Sequence, residues 1–118
     1  MTDVYKGLPA KVRIGCHLFD VVVGTYENHE EEGTYGHMNS FQKRISLRPG
    51  MCATQAANTF IHEVIHAIHW TYGLFKGDEE PQPTEEEYTM LAANGLCAFV
   101  QDNPAAIKWW QRNLALEV

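Results

Sequence analysis

The chain has 118 residues and a formal charge of −6, with nine Lys and Arg against fifteen Asp and Glu. A hydrophobic content of 45% and a charged content of 20% are those of a folded globular protein, and the length predicts one domain, residues 1–118, with a core but no room for a second substrate-binding lobe. The basic residues are scattered singly, which excludes an obvious nucleic-acid surface, and no apolar stretch is long enough to cross a bilayer. Three cysteines, Cys16, Cys52 and Cys97, are odd in number and far apart, and Met1-Thr2-Asp3 does not begin a basic-then-apolar leader. Both features predict a reducing, cytoplasmic setting.

The first half reads as strands. Val12 and Ile14 alternate with Lys11 and Arg13, Gly15-Cys16 breaks the run, and Phe19, Val21 and Val23 alternate up to Gly24. Two such runs across a short break predict a hairpin. Residues 25–33 are acidic and loop-like. Residues 35–39 form a weaker third strand, interrupted by Gly36 and Asn39. Residues 44–47 form a better one, with Ile45 and Leu47 on one face, closed by the turn signal Arg48-Pro49-Gly50.

The second half reads as helices. Residues 54–72 contain neither Pro nor Gly, with Thr54 as the expected N-cap and Gly73 at the expected C-terminus. A loop with Gly77, Pro81 and Pro83 follows. Thr84-Glu85-Glu86-Glu87 opens a second helix with a capping box, in which Thr84 and Glu87 satisfy each other's backbone donors. That helix runs to about Gln101. Asn103-Pro104 then signals an N-cap and first turn, and a last helix covers residues 105–114, with Trp109 and Trp110 packing on the domain. Strands followed by helices predict an α+β fold, a small antiparallel sheet packed on the 54–72 helix and followed by two further helices.

That first helix carries His62-Glu63-Val64-Ile65-His66. Residues i and i+4 of a helix point the same way one turn apart, so two imidazoles can hold one zinc ion, with Glu63 beside it to take a proton from water. His-Glu-x-x-His on a helix is the signature of metal-dependent peptide hydrolysis. Catalytic zinc usually takes a third protein ligand. His69 is a poor candidate, because it stands about 10 Å from His62 along the axis at ~1.5 Å per residue. His17 and His29 read as surface residues, and His37 as a residue near the cleft. A carboxylate at the start of the second helix is the better choice. Glu87 is engaged in the capping box, Glu85 suits the helix dipole, and Glu86 shares a stripe with Thr89, Ala93, Leu96 and Val100 that is apolar enough to face the core. Glu86 is therefore favoured and Glu87 comes second.

The motif His-Glu-Val-Ile-His, an acidic start to the second helix, and Gly95-Leu96 followed by Asp102-Asn103-Pro104 resemble the minimal zincins of phage and prophage type, small gluzincin-like metallopeptidases. The resemblance spans most of the chain and is most specific at the motif. It implies His62 and His66 as zinc ligands, Glu63 as catalytic base and Glu86, 20 residues beyond His66, as third ligand. It also implies a strand bordering the cleft, here residues 35–41, that aligns an extended substrate by strand addition. One departure is that Met90 stands where larger gluzincins carry an acidic residue supporting a zinc-bound histidine, which leaves that role to Asn94 or to no residue.

The expected activity is hydrolysis of an intracellular protein or peptide with Zn²⁺ as cofactor, in the host cytoplasm if the chain is phage-encoded. His37, Tyr35, Tyr72 and Tyr88 are candidates to stabilise the oxyanion. The alternative is a zinc-binding interaction module without turnover.

Overall fold

The computed structural model describes residues 3–24, 35–73 and 83–116. The expected acidic loop 25–33 and most of the Gly77–Pro83 connection lie outside these residues. Four strands come first, β1 (Lys11–Ile14), β2 (His17–Val23), β3 (Gly36–Asn39) and β4 (Arg44–Leu47), and three helices follow, α1 (Ala53–Thr71), α2 (Glu85–Asp102) and α3 (Pro104–Ala115).

The sheet is mixed, which corrects the expected antiparallel one. Its order is β1-β2-β4-β3, with β1 antiparallel to β2, β3 antiparallel to β4, and β2 parallel to β4. Composition accounts for this order. Ile45 and Leu47 of β4 are fully buried, so β4 takes an interior position. β3, with Gly36 and Asn39, is a poor strand sequence and sits at the edge. A chain that visits the edge first and returns through β4 lays β4 in the direction of β2.

Alternation then sets the inner face. Val12, Ile14, Phe19, Val21, Ile45 and Leu47 are all buried, whereas Val23, expected to continue the line, is exposed at the last position of β2. On the outer face Lys11 and Asp20 are paired across the hairpin at 2.7 Å.

The inner face packs on α1, whose Ala56, Phe60, Val64, Ala67 and Ile68 are buried. This helix starts one residue before the expected cap Thr54. Cys52 holds the N-cap position without a side-chain capping hydrogen bond, its Sγ lying 3.8 Å from Thr54 Oγ1, and Gly73 follows the C-terminus at φ +77°. The Thr84–Glu87 capping box is present in both directions: Glu87 N–H donates to Thr84 Oγ1 at 3.1 Å, and Thr84 N–H to Glu87 Oε1 at 3.0 Å. Gly95 sets how closely α2 meets α1, since a Cβ there would lie 2.4 Å from Ile68 Cγ2. The three helices converge at Phe60, whose ring lies 6.2 Å from Phe99 and 5.4 Å from Trp109.

Asn103 was expected to cap α3, but its side chain makes no cap bond. Its amide is buried and stapled to the edge of β1. Oδ1 accepts from Arg13 N–H at 2.8 Å, and Nδ2 donates to the carbonyls of Arg13 at 2.7 Å and Phe99 at 3.0 Å. One carboxamide thus reproduces a strand's donor–acceptor pair. Both tryptophans pack on the core as expected, and Trp109 Nε1 also donates to the Val4 carbonyl at 2.9 Å. Among the described residues no helix is long and apolar enough to cross a membrane.

Candidate metal centre

The buried line of α1 faces the sheet and the other helices, so positions 62 and 66 fall on its exposed side, as 3.6 residues per turn requires. There the two imidazoles converge. His62 Nε2 and His66 Nε2 are 3.1 Å apart, and the rings are near perpendicular at 70°. Two nitrogens each ~2.0–2.1 Å from one tetrahedral ion stand about 3.3 Å apart, so this pair fits a single zinc. The same spacing suits one neutral ring donating to the other.

Glu63 differs from its neighbours in being buried, at 7% exposure. It lies beneath β3. A Cβ added at Gly36 would stand 3.2 Å from Glu63 Cγ, 2.6 Å from Thr59 Cγ2 and 3.1 Å from the Ser46 carbonyl oxygen, so only glycine lets the strand lie this close to the helix. β3 is also the end strand of the sheet, and the cleft runs between it and α1.

Two adjoining hollows make up this cleft. One, of about 340 Å³, is lined by Gly36, His37, Met38, His62, Glu63 and His66. The other, of about 260 Å³, is lined by Tyr35, Gly36, Gln55, Asn58, Thr59, His62 and Glu63. The expected cleft strand therefore does border the motif. Among the four oxyanion candidates, His37 and Tyr35 line the hollows. Tyr72 instead packs beside Gly15 and Gly95, and the Tyr88 ring lies 5.6 Å from that of His69. Gln55, Asn58 and Thr59 were not singled out from the sequence. They precede His62 by seven, four and three residues, so helical spacing already put them on its side of α1.

His69 is half-buried. Burial, and to a smaller extent the nearby His66, holds its pKa below the ordinary histidine value of 6.5. The His17 ring lies 4.9 Å from that of Trp70, tilted at 42°, and His29 lies outside the described residues.

Glu86 is not brought to the histidine pair. Among the described residues no group of three or more His, Cys, Asp and Glu side chains could hold a metal. The stripe on which Glu86 was placed does not face the core either. Thr89, Ala93 and Val100 are exposed along with Glu86, and Leu96 is half-buried. The buried residues of α2 are Gly95 and Phe99, flanked by half-buried Tyr88, Leu91 and Ala92. At about 100° per residue Glu86 stands roughly opposite that line. Met90, at the departure from the gluzincin pattern, is 52% exposed.

No family model, curated protein or solved structure matches the chain.

Proposed function

We propose that the protein is a zinc-dependent peptidase acting on an extended protein or peptide segment. The observation that carries this reading is the His62–His66 pair, its Nε2 atoms 3.1 Å apart, lining one hollow together with the buried Glu63 beside an edge strand. His62 and His66 are the residues that would hold the ion. Bound there, zinc supplies a Lewis acid for the scissile carbonyl and brings a water's pKa toward about 7. Glu63 is the group that would accept a proton from the attacking water and return it to the leaving amine. Gly36 of the strand lies against the Glu63 side chain, close to its Cγ.

The outer edge of β3 offers main-chain donors and acceptors to a substrate strand. His37 shares a hollow with both histidines and Tyr35 shares the other with His62, so these two are the groups to steady the oxyanion. Glu86 is the third ligand that the minimal-zincin resemblance implies, and to serve it must turn from the exposed side of α2. Three free, exposed cysteines suit a reducing cytoplasm, that of the host if the chain is phage-encoded.

The test is zinc content and proteolysis of the wild type and Glu63→Gln. Both proteins should carry about one zinc per chain, and only the wild type should cleave a mixed peptide substrate. A zinc-bound Glu63→Gln protein that still cleaves overturns the assignment of the base. A zinc-bound wild type without cleavage favours an interaction module, and a wild type that binds no zinc removes both readings.

A further inference from the structure

The smaller hollow beside Glu63 has walls of an unusual kind for an apolar side-chain pocket. Apart from Glu63 and His62, which belong to the chemistry, its lining is Tyr35, Gly36, Gln55, Asn58 and Thr59. Two carboxamides and two hydroxyls therefore line a space of about 260 Å³, and among the described residues no Lys, Arg, Leu, Ile, Val or Phe contributes to it.

The polar groups are also ordered from within. Gln55 Nε2 donates to Thr59 Oγ1 at 3.0 Å, and Thr59 Oγ1 in turn approaches Met51 Sδ at 3.8 Å. The Thr59 hydroxyl is thus engaged as both acceptor and donor. The Gln55 carboxamide is tied at one N–H and keeps its oxygen and its second N–H. Asn58 stands exposed at the rim and Tyr35 is 57% exposed, so both reach an incoming ligand without unfolding anything.

We propose that this hollow selects the substrate side chain next to the cleaved bond, and that it takes an uncharged carboxamide, glutamine or asparagine. The inference rests on the peptidase reading of the cleft. A carboxamide carries both donors and acceptors, as do Gln55 and Asn58, so the two sets can pair. An acidic side chain could accept from the amide N–H groups of Gln55 and Asn58, but it would stand beside the Glu63 carboxylate with no cation among the described lining residues to offset that charge. An aliphatic side chain would strip water from Gln55 and Asn58 and return no hydrogen bond, which is how a polar site rejects an apolar analogue. Among the described residues a lysine would meet one carboxylate, Glu63, which is already assigned to proton transfer.

The experiment uses the full chain, isotope-labelled and free of metal, so that it reads binding independently of turnover. The probes are the N-acetyl N-methylamides of glutamine, leucine, lysine and aspartate, titrated while the side-chain amide resonances of Gln55 and Asn58 are followed. The glutamine probe should move both resonances and bind about three- to tenfold tighter than the leucine probe, the range that one or two net hydrogen bonds give. The lysine and aspartate probes should bind more weakly than the glutamine probe. Asn58→Ala, at an exposed position, should erase the preference for glutamine over leucine, weakening the glutamine probe and leaving the leucine probe no weaker than before. Equal or tighter binding of leucine, lysine or aspartate overturns the proposal, as does a glutamine probe that leaves Gln55 and Asn58 unmoved. Failure of the peptidase reading shows elsewhere, as a zinc-loaded wild type that cleaves nothing.

Discussion

Gly36 of the edge strand rests directly on Glu63 of α1: a Cβ at position 36 would stand 3.2 Å from Glu63 Cγ and 2.6 Å from Thr59 Cγ2. The contact joins the element that would align a substrate to the group that would move the proton. Gly36→Ala cannot be absorbed by a flexible tip alone, because the Ser46 carbonyl oxygen is 3.1 Å away on the other side. The strand must lift from the helix. The expected cost is about 1–3 kcal/mol, the usual scale for overpacking, read as a lowered midpoint in chemical denaturation. Glu63 should become more accessible in the same variant, read as faster exchange of the backbone amides of β3. A Gly36→Ala protein as stable as the wild type would mean that β3 does not hold this position.

Two neighbouring glutamates should separate cleanly. Glu87 is held by the reciprocal bonds with Thr84, so Glu87→Ala should cost about 0.5–2 kcal/mol of stability, as loss of a helix cap does, and leave zinc binding unchanged. Glu86 is exposed and belongs to no described ligand set. If it turns inward to complete the site, Glu86→Gln should weaken zinc binding by more than the ~10–100-fold that loss of an outer-shell partner costs, with little change in metal-free stability. Competition against a fluorescent zinc chelator measures both. Unchanged affinity in Glu86→Gln would assign the third ligand elsewhere.

These two positions also show where the sequence was legible. The motif helix, the capping box and the β1–β2 hairpin were readable because their signals are local: a residue and its neighbour three or four positions away settle them. The face of α2 was not. Met90, Ala93, Cys97 and Val100 make its exposed side as apolar as its buried one, so periodicity alone does not choose between them. The choice is made by Gly95, whose missing side chain admits Ile68 and which carries almost no hydropathic signal. The parallel pairing of β2 with β4 and the stapling of Asn103 to Arg13 are contacts between distant segments, the latter across 90 positions. No local pattern encodes either.

Asn103 is the most exacting of these distant contacts. Its amide satisfies both backbone groups of Arg13 and the Phe99 carbonyl at 2.7–3.0 Å. Asn103→Ala leaves the two Arg13 groups to find water at a part-buried edge, while the Phe99 carbonyl keeps the backbone N–H of residue 103. A loss of about 2–3 kcal/mol follows from stranding polar groups of this kind. The Arg13 amide should exchange with solvent much faster, while amides in β4, on the far side of β2, should change only with global stability. Retention of slow exchange at Arg13 would show that another group had taken over the staple.

His69 makes the stability of the metal-free protein depend on pH. Burial against the second helix, near the Tyr88 ring, and proximity to His66 hold its pKa below 6.5 in the folded state. On acidification the unfolded chain therefore takes up this proton first. Between about 6.5 and the lower folded value the unfolded state binds more protons, and stability falls as pH falls; above that window both states are neutral and this residue contributes no slope. His69→Gln removes the titration while keeping a polar side chain of similar reach. With chelator present, the wild type should therefore lose more thermal stability than His69→Gln between pH 7.5 and 5.5, and the two should run parallel above pH 7.5. Equal losses in the acidic range would place His69 in water-like surroundings, against its packing on Tyr88.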